Sequence, residues 1–203
     1  MSPARLARVV PLILIVLTGC SSAPGTAPED PATGTGAPGR NAVGTPSPRT
    51  PAAVGRPAAP VEVEIPSIGV KSSLMELGLN TDGTVEVPPP DKGMTAGWYT
   101  GGAAPGEAGA AVIIGHNDTR FGKAVFHDLK KITKGADIMV RNSLGESARF
   151  TVTGSESVSK DSFPTDKVYG RTRDHALRLI TCDGDFDAEG HPVNNLIVYA
   201  TLD

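Results

Sequence analysis

The chain has 203 residues, a formal net charge of −3, 39% hydrophobic residues and 4% aromatics. That charge lacks the basic footprint general nucleic-acid binding needs, and so few aromatics supply no stacking platform for bases. Only the stretch from Val61 to the end has the composition of a folded domain, and it is long enough to bury a core without disulfides.

In chain order, Arg5 and Arg8 precede an apolar run at residues 9–17, broken only by Pro11. The run is too short to span a bilayer as a permanent helix and reads as a signal peptide, residues 1–20. It ends Leu17-Thr18-Gly19-Cys20. This ending resembles the lipobox of bacterial lipoproteins. The resemblance implies that Cys20 is diacylated, becomes the new N-terminus and anchors the chain on the outer face of the cytoplasmic membrane, where two acyl chains hold stably. The competing reading is a plain secretory signal with an incidental cysteine. Residues 21–60 are almost all Pro, Gly, Ala, Thr and Ser, a disordered linker with no apolar surface to bury. As a flexible coil of ~40 residues it spans roughly 35 Å.

The rest, residues 61–203, reads as one domain. Residues 61–66 alternate apolar and charged, a half-buried strand. A second strand is expected over 73–79, then a turn at Asn80-Thr81-Asp82-Gly83. Residues 110–115 form a fully buried strand. Val125, Phe126, Leu129 and Ile132 recur at helical spacing, a short helix or turn over 124–132. Strands over 137–141 and 148–152 pair around Ser143-Leu144-Gly145. The last two strands cover 176–181 and 196–202. With only short helical pieces between, the class is mainly β, a barrel or a sandwich.

Cys182 ends the apolar run Leu177-Arg178-Leu179-Ile180-Thr181-Cys182, and His116 ends Ala111-Val112-Ile113-Ile114-Gly115-His116. A thiol and an imidazole, each delivered by the end of a buried strand, form a candidate nucleophile and proton donor. Taken singly, a buried structural cysteine and a core histidine are the plainer readings.

These motifs, with others in order, resemble the sortases, in particular the actinobacterial class E/F kind. The others are Ile65-Pro66-Ser67-Ile68-Gly69-Val70, Ala96-Gly97-Trp98-Tyr99, Pro105-Gly106-Glu107-Ala108-Gly109, Val125-Phe126-His127-Asp128-Leu129, the run from Phe163 to Gly170, and Asn195-Leu196-Ile197-Val198-Tyr199-Ala200. The resemblance implies an eight-stranded sortase-type β-barrel with short helices and a cysteine transpeptidase. Cys182 would attack the Thr–Gly carbonyl of an LPXTG- or LAXTG-like sorting signal on a secreted protein. His116 would protonate the departing amine. An amine of a peptidoglycan precursor, or of another protein, would resolve the thioester. No cofactor or metal is implied.

Sortases carry an arginine near the start of the last strand, and here Val193 stands where it is expected. Arg178, four residues before Cys182 on the same face, is one candidate substitute, although the roughly 13 Å along the strand makes its reach marginal. Asn194 and Asn195 are others, and Thr181 is a further oxyanion or substrate candidate. Alternatively the enzyme is slow or inactive, a sortase-fold lipoprotein that binds sorting signals or wall material without turnover. A hydrolytic cysteine peptidase is a third reading. The acidic loop Asp183-Gly184-Asp185-Phe186-Asp187 puts negative charge beside the thiol, a second hint of modest activity. Its alternating Asp pattern fails as an EF-hand because Ala188 stands where Gly is required. His127, His175 and His191 are expected at the surface or in packing, and Trp98 against the barrel.

Overall fold

The computed structural model describes residues 57–188, 190 and 192–203. Cys20, the signal segment, the linker before residue 57 and His191 lie outside the described residues. The described residues belong to one compact unit, Pro51–Asp203.

Ten strands and one short helix follow in order: β1 (Pro60–Ile65), β2 (Val70–Leu77), β3 (Ala96–Tyr99), β4 (Gly109–Ile114), β5 (Asp118–Thr119), β6 (Gly122–Lys123), β7 (Asp137–Asn142), β8 (Ser147–Ser159), α1 (Thr165–Tyr169), β9 (His175–Phe186) and β10 (Pro192–Leu202). Eight of them close a barrel in the order β1-β2-β3-β4-β9-β10-β8-β7, while β5 and β6 form a separate hairpin. Closure removes exposed sheet edges, so every strand of the barrel is paired on both sides.

Period-two alternation explains the layering. In β1, Val63 and Ile65 are fully buried, while Glu62 and Glu64 face outward to Lys71 at 3.5 and 3.4 Å. Gly69, at φ 66, makes the tight connection into β2, a conformation costly for residues with a Cβ. The barrel interior is filled by Val63, Ile65, Ile113, Phe126, Leu129, Ile138, Phe150, Leu177, Leu179 and Val198, among others. Trp98 joins them at 3% exposure, its Nε1–H donating to the Ala103 carbonyl at 3.0 Å.

The alternate positions of the same strands make a second apolar layer on the outside: Leu77, Val112, Ile114, Ile180 and Ile197. Helix α1 lies over it through fully buried Val168. This outer layer positions the site.

Several elements differ from the sequence expectation. The second strand starts earlier, at Val70, because buried Ser72 replaces an apolar contact with hydrogen bonds: its Oγ donates to the Met94 carbonyl at 3.1 Å and accepts from the Ala96 N–H at 3.0 Å. Residues 124–132 form turns with one 3-10 turn, Leu129–Lys131, although their apolar side chains are buried as the spacing required. Strand β3 was not anticipated, and β8 runs on through polar residues to Ser159. Among the described residues, no helix is long and apolar enough to cross a membrane.

Candidate active site

Cys182 and His116 are brought together by the pairing of β4 with β9. The two strands are parallel, with Ile114 in register with Ile180, and the Gly115 N–H donates to the Ile180 carbonyl at 3.0 Å. Two residues further on, His116, just past the end of β4, and Cys182, still within β9, stand side by side; the strand expected to end at Cys182 with an acidic loop after it instead continues to Phe186. Hydrogen-bonded strands lie about 5 Å apart, so the two backbones are close neighbours. Alternation turns both side chains outward, in line with Val112 and Ile114 on one strand and Ile180 on the other.

Both line a cavity of about 650 Å³ between the barrel's outer layer, the 79–88 segment and the connection that carries α1. Cys182 is a free, half-buried thiol. The Nε2 of His116 lies 2.6 Å from the Pro88 carbonyl oxygen. A carbonyl only accepts, so Nε2 carries the proton in this arrangement. The strand end is clamped from behind: the Phe126 N–H donates to the His116 carbonyl at 2.9 Å, and the Ala124 N–H to that of Asn117 at 3.0 Å. This close approach needs Gly115, where a Cβ would meet the Phe126 ring at 2.6 Å.

The cavity wall is mostly apolar and aromatic. Tyr99 and Tyr169 meet edge-on at 5.7 Å, and Phe163 lies 6.0 Å from Tyr169. Burial, with the neighbouring Tyr99, pushes the Tyr169 hydroxyl up to about 12.

Across β9, Asn195 of β10 is in register with Cys182 and lines the same cavity. Directly opposed residues share a face with Cβ atoms about 5 Å apart. The register breaks between Pro192 and Asn194, and Val193 lies in that irregular stretch, 38% exposed and outside the cavity wall. Of the candidates the sequence offered near the start of this strand, Asn195 is the one that faces the thiol. Asn194 packs instead against the loop at Gly184, where a Cβ would meet its Nδ2 at 2.7 Å. Thr181 contributes to the wall, but its Oγ1 is buried without a hydrogen-bond partner.

Arg178 does share the face of β9 with Cys182, yet it lines a different cavity, of about 340 Å³. Its guanidinium lies 4.7 Å over the Tyr199 ring, and Nη1 donates to the Leu177 carbonyl at 3.1 Å. Burial lowers its pKa. Beside it, the Tyr199 hydroxyl donates to Glu156 at 2.6 Å, and Lys167 holds the same carboxylate at 2.7 Å. Hydrogen bonds from Lys167, then Tyr199, keep Glu156 below the usual carboxylate range. Arg178 is thus built into this outer cluster and is not gathered at the thiol. Among the described residues no arginine lines the cavity of Cys182, and no group of three or more His, Cys, Asp or Glu could hold a metal.

Of the other histidines, His127 is paired, its Nδ1 lying 3.0 Å from Asp118, so it braces the β5–β6 hairpin that follows His116. Exposed His175 has Nδ1 2.9 Å from the Gly106 carbonyl. Sequence spacing gave no sign of Lys160, which lines the cavity from the end of β8.

A closed barrel that presents a thiol, an imidazole and an amide in one apolar outer cleft has the parts of an acyl-transfer site. Comparison with known proteins gives the class a family. The family model described as Sortase domain matches residues 63–203, and the chain belongs to the sortase family. Family membership makes it, in general terms, a sortase-type transpeptidase. A search of curated protein sequences finds no match. Solved structures share the barrel. Sortase C1 from Streptococcus agalactiae is 19% identical with a TM-score of 0.56, covering 74% of this chain and 70% of that one. Sortase C-1 from Actinomyces oris is 22% identical with a TM-score of 0.56, covering 70% and 73%. Sortase A from Corynebacterium diphtheriae is 20% identical with a TM-score of 0.54, covering 73% of this chain and 62% of that one. At these identities the likeness is one of fold.

Proposed function

We propose that the domain cleaves an LPXTG- or LAXTG-like sorting signal between Thr and Gly through a Cys182 thioester and passes the acyl group to an amine of a cell-wall precursor. The observation that carries this reading is the in-step arrival of Cys182 and His116 in one cavity from adjacent parallel strands. The Cys182 sulfur, as thiolate, adds to the threonine carbonyl. The tetrahedral oxyanion collapses, breaking the C–N bond, and the leaving glycine amine takes a proton from the His116 imidazolium. The acceptor amine then adds to the thioester carbonyl, surrenders a proton to the imidazole and expels the thiolate. Asn195, facing the thiol, supplies an amide N–H to the oxyanion in place of a cationic donor. The Pro88 contact is released when His116 turns to the leaving group.

The actinobacterial class E/F resemblance and a lipid anchor at Cys20 complete the reading, placing the domain on the outer face of the membrane within reach of secreted substrates. A second reading is favoured by one observation: the group facing the thiol is neutral Asn195, and a weaker donor suits a domain that binds sorting signals or wall material without turnover.

The test is intact-mass spectrometry of the full chain, in detergent, with LPXTG and LAXTG peptides and a glycine-type amine. A thioester adduct and an amine-linked product, both lost in Cys182→Ala, are expected. Asn195→Ala is expected to slow acylation by ~10²-fold, the usual loss for one oxyanion donor, with its melting temperature kept. Hydrolysed product despite excess amine would make the protein a peptidase, and no adduct from folded protein would favour the binding reading. Acyl labelling of the intact protein that survives Cys20→Ala would overturn the anchor.

A further inference from the structure

We infer that Lys160 is a specificity-determining residue that receives a carboxylate of the substrate peptide beside the scissile bond, so that the preferred sorting signal is acidic at the position before its threonine. This rests on the acyl-transfer reading of the cavity. Among the described residues, Lys160 is the one basic side chain apart from His116 that lines it, and no Asp or Glu does.

Its place is set by the sheet. Strand β8 ends at Ser159, which pairs with Asn194 of β10, and Asn195 next to it faces Cys182. The Ser159 Oγ accepts the Asp161 N–H at 3.2 Å, starting the 3-10 turn Lys160–Ser162. Lys160 therefore stands two strand spacings, roughly 10 Å, from the nucleophile's strand. Asn195 of β10 stands between them, and both Lys160 and Cys182 line the one cavity.

Lys160 is also unspent. Lys71, Lys131 and Lys167 each hold a carboxylate, whereas no ion pair or hydrogen bond engages the Lys160 ammonium among the described residues. Asp161 and Asp166, on the same connection, do not line the cavity. Lys160 is exposed, so its attraction for a carboxylate acts through solvent and is screened by salt. Asp183, which pairs with Asn194 as Ser159 does, and Asp185 lie at the same end of the sheet as Lys160, but neither lines the cavity, so the ammonium is the charge a peptide bound there meets.

The experiment uses the full chain and three peptides that differ only before the threonine, with Glu, Gln or Lys there. Acylation kcat/KM is expected to fall in that order, by roughly tenfold from Glu to Lys at low salt, and the spread should shrink as salt is added. Lys160→Glu is expected to reverse the order. Equal rates for the three peptides, or an order unmoved by Lys160→Glu, would overturn the inference. If no peptide acylates, the acyl-transfer reading has failed, and fluorescence anisotropy of the same peptides on Cys182→Ala still decides: binding ordered Glu, Gln, Lys and inverted by Lys160→Glu supports the charge reader, and charge-blind or absent binding overturns it.

Discussion

The inside and the outside of the barrel are built from the same strands but do different work. Inward positions such as Ile113, Leu177 and Leu179 meet other apolar side chains in a closed interior. Their outward neighbours Val112, Ile114 and Ile180 meet only a thin cover, α1 and its connection, and at the strand ends that cover gives way to the cavity. An interior closed on all sides stabilises the domain. A layer covered on one side leaves apolar surface for a ligand, and the reacting groups sit at its margin.

The contrast is most exposed to test by truncating one side at a time. Phe150, fully buried inside, should cost about 3–5 kcal/mol as Phe150→Ala, read by urea or thermal unfolding. The fraction that remains folded should still acylate Cys182 at the wild-type rate. Val168→Ala, under the outer layer, should cost only about 1–2 kcal/mol but raise the KM for peptide severalfold, because α1 forms part of the cavity wall. If the outer truncation changes stability alone, the division of labour is wrong.

A smaller effect concerns Tyr169. Its pKa is about 12 in the folded protein against about 10 unfolded, so between those values the unfolded chain binds fewer protons. Stability is therefore full below pH 10 and falls as pH rises toward 12. Melting curves from pH 9 to 12 should show a shallower alkaline decline in Tyr169→Phe. Smallest of all, Arg178→Ala should leave acylation within about twofold, since the guanidinium is held on Tyr199 in another cavity. A loss above tenfold would return Arg178 to the reaction.

Much of this was legible in the sequence. The runs ending at His116 and Cys182 are apolar and bounded, so both could be read as buried strand, but β9 runs on past Cys182 to Phe186 through acidic residues that look like loop, and its parallel pairing with β4 awaited the fold. Strand β3 escaped because four residues containing Gly97 carry little periodic signal; there a Cβ would meet the Leu77 side chain at 2.5 Å, so glycine serves packing. The far half of β8 escaped because Ser155, Ser157 and Glu156 look like loop, yet they pair fully with β10. Asn194 and Asn195 were equal candidates in the sequence, and the pairing of Asn195 with Cys182 across the sheet tells them apart. Lys160 gave no pattern at all, since its meaning comes from which cavity it reaches.

The pairing of Ile114 with Ile180 ties both reacting groups to a single register. Side chains on a strand change face with every residue, so one residue inserted into β4 or β9 ahead of those ends would turn an imidazole or a thiol into the barrel interior. Lengthening the α1 connection by the same amount would move neither. The substrate-facing cover can therefore change in length without moving the reacting groups, whereas β4 and the part of β9 before Cys182 cannot.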